Sequence, residues 1–182
     1  MNRQQLAHIL RASCDITGDK DVLVIGSQSI LGSHDEDELP VEATASIEAD
    51  IAFLDDLDRG KADDVEGAIG EFSTFQATHG IYAEGVHLET AVLPDGWRNR
   101  LVSWDLVSSA PAEPHFLEAH DLAVSKLAAG RDKDKAFVDA LIRHALLDVQ
   151  TLRERNDLLA GDHQVHKNRI RTFLDLYSDS VG

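Results

Sequence analysis

Apolar positions along the chain change their period near its middle. Leu6, Ile9 and Leu10 share one helical face that Cys14 continues, which predicts a helix over residues 2–13 with Gly18 as its stop. Residues 22–25 form a short unbroken apolar run, as in a strand buried on both faces. Gly26 and Ser27 break that run, and a short helix is predicted over 28–31, ending at Gly32. An acidic loop with Pro40 fills 33–45. From 46 to 54 the period becomes two: Ile47, Ala49, Ile51 and Phe53 take one face, and Ser46, Glu48, Asp50 and Ala52 the other. A helix is predicted over 62–70, capped near Asp63 or Asp64, then an irregular aromatic-rich stretch over 72–85. Alternation over 86–93 predicts a third strand, in which His87 and Glu89 share a face, and 101–107 a fourth. Beyond Pro111 and Pro114 the pattern is helical, with helices predicted over 118–129, 133–147, 149–159 and 163–177.

Strands in the first part and helices in the second predict an α+β fold: a small mixed β-sheet with flanking helices, and a helical C-terminal part. The expected division is a core over 1–110 with a helical portion over 111–182 packed on it as one compact unit. The 182 residues are enough to bury a core, and a hydrophobic share of 43% is a globular composition. A single cysteine, Cys14, permits no intrachain disulfide, which suits a reducing compartment. The polar opening MNRQQLAHILRAS is unlike a signal peptide, and no apolar run approaches the roughly 18 residues of a membrane span. A cytoplasmic protein with no membrane partner is expected.

Charge narrows the partners. The 33 acidic and 17 basic residues leave a formal charge of −16, which argues against a broad nucleic-acid-binding face. Acidic clefts suit divalent metals, cationic small molecules or basic proteins. Metal-protease spacing is absent and one cysteine offers no thiolate cluster, so zinc is not expected despite His115, His120, His163 and His166.

Two short patterns carry chemistry. Glu48 and Asp50, two apart on a strand, project from one face roughly 7 Å apart, a spacing that can hold Mg²⁺ or Mn²⁺. The same pair also suits a solvated strand face. Gly26-Ser27, where a strand meets a short helix, would present N–H groups and a hydroxyl to a phosphate, though many such pairs are plain turns. Downstream, Lys126 and Arg131 follow the apolar run Leu122, Ala123, Val124 and Leu127, placing cations at the end of a packed helix. Asp134 could position Lys126 or meet a base edge. A solvated charge cluster would have the same composition. A third carboxylate is expected from a neighbouring strand, with Glu89 preferred and Glu84 as fallback.

Ile25-Gly26-Ser27 followed by Glu48-Ala49-Asp50-Ile51 resembles the signature of the polymerase-beta type of nucleotidyltransferase fold. The first acid is Glu where that pattern has Asp, and the acidic loop lengthens the gap. Over nearly the whole chain, IGSQSILG, SIEADIAF, GAIGEFSTF, GWRNRLV and HDLAVSKLAAGRDKD resemble small bacterial nucleotidyltransferases similar to AbiEii-type toxins of toxin–antitoxin systems. The resemblance implies a metal-dependent nucleotidyltransferase. It would move a nucleoside monophosphate from an NTP to a tRNA 3′ end, a protein or a small molecule, with a cognate antitoxin as possible partner. It implies Asp50, Glu48 and Lys126 as catalytic residues. Gly26, Ser27, Lys126, Arg131 and Asp134 would bind the nucleotide, and Glu48, Asp50 and Glu89 the metal. The competing expectation is a catalytically inactive member that keeps the fold as a binding or partner-interaction module.

Overall fold

The computed structural model describes residues 1–104 and 107–177. One mixed sheet is built from β1 (Val22–Val24), β2 (Glu48–Phe53), β3 (Tyr82–Gly85), β4 (Val102–Ser103) and β5 (His115–Phe116). Its spatial order is β3-β2-β1-β5-β4. β1 runs antiparallel to β2 and parallel to β5, β2 parallel to β3, and β4 antiparallel to β5. The expected α+β class with a helical C-terminal part is the one observed.

The central strand explains its composition. Val22, Leu23 and Val24 are fully buried with strands on both sides, so no position on β1 can be polar. In front of it, α1 (Arg3–Thr17) starts at a capping box in which Asn2 and Gln5 satisfy each other's backbone N–H groups. It ends at Gly18, whose left-handed φ of 70° lets its N–H bond the Cys14 carbonyl, and so runs beyond residue 13. Leu6, Ile9, Leu10 and Cys14 are buried as their spacing requires.

The stretch 86–93 is a correction. β3 is Tyr82–Gly85, inside the stretch expected to be irregular. It pairs with β2 in parallel register, Glu48 with Tyr82 and Asp50 with Glu84. The last bond from this edge runs from Val86 N–H to Ile51 O at 2.8 Å. The chain then leaves the sheet, and Leu88–Thr90 form a 3₁₀ turn. Val86, Leu88 and Val92 do pack half-buried on the core, so their alternation reports burial without strand pairing. The helices expected over 28–31 and 62–70 are present as α2 (Ile30–Ser33), preceded by a 3₁₀ turn over Ser27–Ser29, and α4 (Gly60–Ile69). Short helices also appear where loops were expected: α3 (Val41–Thr44) inside the acidic stretch, and α5 (Thr74–His79) capped by the Ser73 hydroxyl. β5 (His115–Phe116) directly follows Pro114, just before the first of the expected C-terminal helices. The predicted fourth strand is seen at Val102–Ser103, and residues 105 and 106 lie outside the described residues.

The C-terminal helices are α6 (Ala119–Ala129), α7 (Asp132–Arg143), α8 (Val149–Asp157) and α9 (Gln164–Asp175). α6 is the hub, packing on α7, α8 and α9. Glu118 caps its first turn by accepting from His120 and Asp121 N–H. Asp121 is fully buried. It accepts from Arg100 Nε at 2.8 Å and Nη2 at 3.0 Å, and lies 3.3 Å from Arg155 Nε. This pairing ties α6 to α8 and to the loop before β4, which sets where Lys126 stands. Among the described residues no helix is long and apolar enough to cross a membrane.

Strand β3 is held against β2 from outside by α4. A Cβ on Gly85 would fall 1.9 Å from the Ala62 carbonyl oxygen, and the Gly85 N–H donates to Glu66 Oε2 at 2.8 Å. Gly85→Ala is therefore expected to push α4 off the sheet and cost about 1–3 kcal/mol, as overpacking does. Urea unfolding of the variant against the parent checks this.

Candidate active site

The turn after β1 and the acids of β2 are in contact. Ile25 N–H donates to Asp50 O at 3.1 Å, because β1 and β2 run antiparallel with Val24 opposite Ile51. Gly26 follows with extended backbone (φ −88°), so left-handed geometry is not what requires glycine there. The reason is Asp50: a Cβ on Gly26 would lie 1.4 Å from Asp50 Oδ2 and 2.2 Å from its Cγ. Asp50 thus rests its carboxylate on the Gly26 backbone. Ser27 opens a 3₁₀ turn, and two residues later the buried Ser29 hydroxyl donates to Leu117 O at 3.1 Å, tying the turn to the approach of α6.

Parallel pairing of β2 with β3 brings the third acid. Glu48, Asp50 and Glu84 each offer an oxygen, and these atoms lie within 4.8 Å of one another. The third expected member does not join them. Glu89 sits on the 3₁₀ turn after β3 and pairs with Arg59, so the mid-strand placement beside His87 is corrected, and Glu84 occupies the neighbouring-strand position. Tyr82, directly opposite Glu48, donates its hydroxyl to Glu48 Oε2 at 2.7 Å. This contact anchors the Glu48 side chain.

Facing the acids is the end of α6. Lys126, Arg131 and Asp134 line the same cleft of about 860 Å³ as Gly26, Ser27, Glu48, Asp50 and Glu84. Asp134 is buried. It accepts from Arg131 Nε at 2.7 Å and Nη2 at 3.3 Å, and lies 3.6 Å from Lys126 Nζ. Lys126 Nζ also stands 5.7 Å from the Phe137 ring centre. Asp134 thus acts as the strut between the two cations, its carboxylate fully engaged.

The electrostatics follow from this layout. Burial raises the Asp50 carboxyl above its usual range, the Lys126 charge across the cleft opposes that rise, and Glu48 adds to it. Glu84 is pushed up to about 7, first by desolvation, then by a hydrogen bond shared with Glu48 and by the charges of Glu48 and Asp50. The bond to Glu48 raises the Tyr82 phenol well above its ordinary value, keeping it a donor. The sheet wall is short of positive charge, and the helix wall supplies it across an open gap.

The family described as nucleotidyltransferase of unknown function (DUF6036) matches residues 4–178. The chain belongs to that family. The match takes in both walls of the cleft. The family description gives a reaction class and no substrate. No curated protein and no solved structure matches the chain.

Within this nucleotidyltransferase-family chain, the tertiary fold brings seven expected residues into one cleft: Gly26, Ser27, Glu48, Asp50, Lys126, Arg131 and Asp134. Glu89 stands apart from the carboxylate trio. Glu84 was the less favoured choice because its strand lay outside the alternating stretch. Lys133, His166 and Arg169 also line the cleft. Lys133 falls within the quoted HDLAVSKLAAGRDKD stretch but was given no role there, and no motif marked His166 or Arg169 on the last helix.

Between its ordinary value of 4.5 and about 7, Glu84 is protonated in the folded protein and ionised in the unfolded chain. The folded state then binds the extra proton, so this group's contribution to stability falls as pH rises through that window. Glu84→Gln is expected to leave Tm unchanged near pH 4.5 and to raise it by about 1–3 °C at pH 8 in EDTA, a modest shift because the side chain is exposed. Thermal melts at the two pH values, with an equal or opposite difference counting against the assignment, test it.

Proposed function

We propose that the chain transfers a nucleoside monophosphate from an NTP to an acceptor hydroxyl, releasing pyrophosphate, with this cleft as its active site. The observation that carries the reading is the carboxylate trio of Glu48, Asp50 and Glu84, with Asp50 resting on the Gly26 backbone, in one cleft with Ser27 and Lys126. The donor set suits a divalent cation. All three ligands are oxygens, the donor type Mg²⁺ and Mn²⁺ take, and they lie within 4.8 Å of one another. The raised Glu84 and Asp50 carboxyls mark a site where negative charge is under-compensated. Glu48, Asp50 and Glu84 would hold Mg²⁺ or Mn²⁺, which when bound supplies charge neutralisation at phosphoryl oxygens.

The chain's own groups divide the remaining work. Gly26 and Ser27 offer backbone N–H and hydroxyl donors to phosphate oxygens. Lys126 and Arg131 neutralise charge that develops on the phosphates, an effect worth about 3–4 kcal/mol for a well-placed donor. Asp134 keeps both cations pointed at the cleft. The acceptor oxygen bonds to the α-phosphorus as the bond to the bridging oxygen breaks, and pyrophosphate leaves with that electron pair. The acceptor proton passes to one of the cleft carboxylates. Tyr82 holds Glu48 in one orientation.

The resemblance to AbiEii-type toxins supports a tRNA 3′ end or a protein side chain as acceptor, and a toxin role with a cognate antitoxin. The charge of −16 keeps a small cationic acceptor in view. Incubation with each labelled NTP, Mg²⁺ and total RNA or lysate tests the reaction. Label transfer by the parent is expected, reduced to background in Asp50→Ala and by about 10²–10³-fold in Lys126→Ala. No transfer with any NTP would leave a non-catalytic binding module as the better reading, and full transfer by Asp50→Ala would mean that the activity does not come from this cleft. Tyr82→Phe is expected to weaken Mn²⁺ binding by about 10–100-fold, as loss of a partner behind a ligand does, measured from the electron-spin-resonance signal of free Mn²⁺.

A further inference from the structure

The helix wall of the cleft carries more positive charge than Lys126 and Arg131. Lys133, in the first turn of α7, and Arg169, on α9, also line it. Most Lys and Arg side chains of this acidic chain pair with a carboxylate. Among the described residues Lys133 and Arg169 do not, and the one buried acid on their wall, Asp134, is already engaged by Arg131 and Lys126. In a chain with almost twice as many acids as bases, two unpaired cations on one wall of one cleft point to an anion from outside.

Arg169 is also held in place. Its Nη1 donates to Ala128 O at 2.9 Å and lies 3.4 Å from Ala129 O, covering the carbonyl end of α6. His166, one turn earlier, donates Nδ1–H to the same Ala128 oxygen at 3.0 Å. The guanidinium lies across Gly130, where a Cβ would come within 2.3 Å of Nη1. Gly130 also has a φ of 72°, so glycine meets both demands immediately before Arg131. Capping α6 uses one nitrogen of the fork. The other N–H donors of Arg169 have no partner among the described residues, and a guanidinium anchored at one corner loses little further freedom when its free edge meets a phosphate.

Resting on the nucleotidyl-transfer reading above, we infer that Arg169 and Lys133 form a phosphate subsite on the α6–α7–α9 wall, separate from the carboxylate trio. The subsite takes a phosphate group other than the one on which the transfer occurs. That group is either the terminal phosphate of the nucleotide or a phosphate of the acceptor. The last helix is then part of the substrate site as well as a cover for α6.

Calorimetric titration of the full chain with Mn²⁺ present, using ATP, AMP, tripolyphosphate and a short single-stranded RNA, tests this. Arg169→Gln and Lys133→Gln are each expected to weaken ATP and tripolyphosphate about tenfold, the loss of one charge-assisted hydrogen bond. AMP and Mn²⁺ affinities are expected to stay within about twofold. Weakened RNA binding with unchanged ATP binding would assign the phosphate to the acceptor and still support the subsite. Parent-like affinity of both variants for ATP, tripolyphosphate and RNA would overturn it. Lys133 is exposed and makes no hydrogen bond or ion pair among the described residues, so its variant keeps the test valid if loss of the Arg169 cap unfolds the chain. Arg169→Lys, which keeps the charge and loses the fork, is expected to recover part of the affinity. If the parent binds no nucleotide at all, the transfer reading fails. If it binds nucleotide and both variants match it for every ligand, the subsite alone fails.

Discussion

The contact between Asp50 and the Gly26 backbone is the constraint on which the rest of the site depends. A carboxylate cannot rest on a main chain unless the residue beneath it lacks a side chain, and cannot stay there unless the two strands are locked in register. Both conditions are met by β1 and β2, through the Ile25-to-Asp50 bond and the absent Cβ. With that pair in place, the strand period puts Glu48 on the same face, and parallel pairing with β3 puts Glu84 opposite Asp50. Three acids are then forced together, and their mutual repulsion is relieved by proton uptake, by Lys126, or by an incoming cation.

The helical part answers that repulsion from the other side. The fully buried Asp121, clamped by Arg100 and Arg155, anchors the start of α6, while Asp134 holds the cations beyond its end. A buried acid with only one cation would be costly. Each of these aspartates has two, and each is thereby a positional device. The acidic overall surface and the locally basic helix wall leave the cleft polar in one direction, from carboxylates to ammonium and guanidinium groups. A phosphate chain bridged by a divalent cation has the complementary order of charges.

What was legible in the chain was what local periodicity and short spacing can carry. The apolar run of β1, the alternation that puts Glu48 and Asp50 on one face, the Gly-Ser break, the amphipathic α1 and the apolar run of α6 all follow from rules spanning a few residues. The burial of Leu122, Val124 and Leu127 beside Lys126 was visible for the same reason. Val86 to Leu93 misled because alternation records which side of a segment is buried, and a loop packed on a core can alternate without a pairing partner.

The sequence by itself determined the class of fold, the face that bears the acids, and the cations that end α6. Only the tertiary structure decided the third acid, the role of Tyr82 behind Glu48, and the arrival of Arg169 from the last helix. The physical reason is range. Glu84 meets Asp50 through strand register, and Arg169 meets Gly130 through helix packing. Neither interaction leaves a local pattern at either end. The opening pair, Gly26 and Asp50, shows both halves: each residue was visible alone, and only the folded chain shows that the glycine is there for the aspartate.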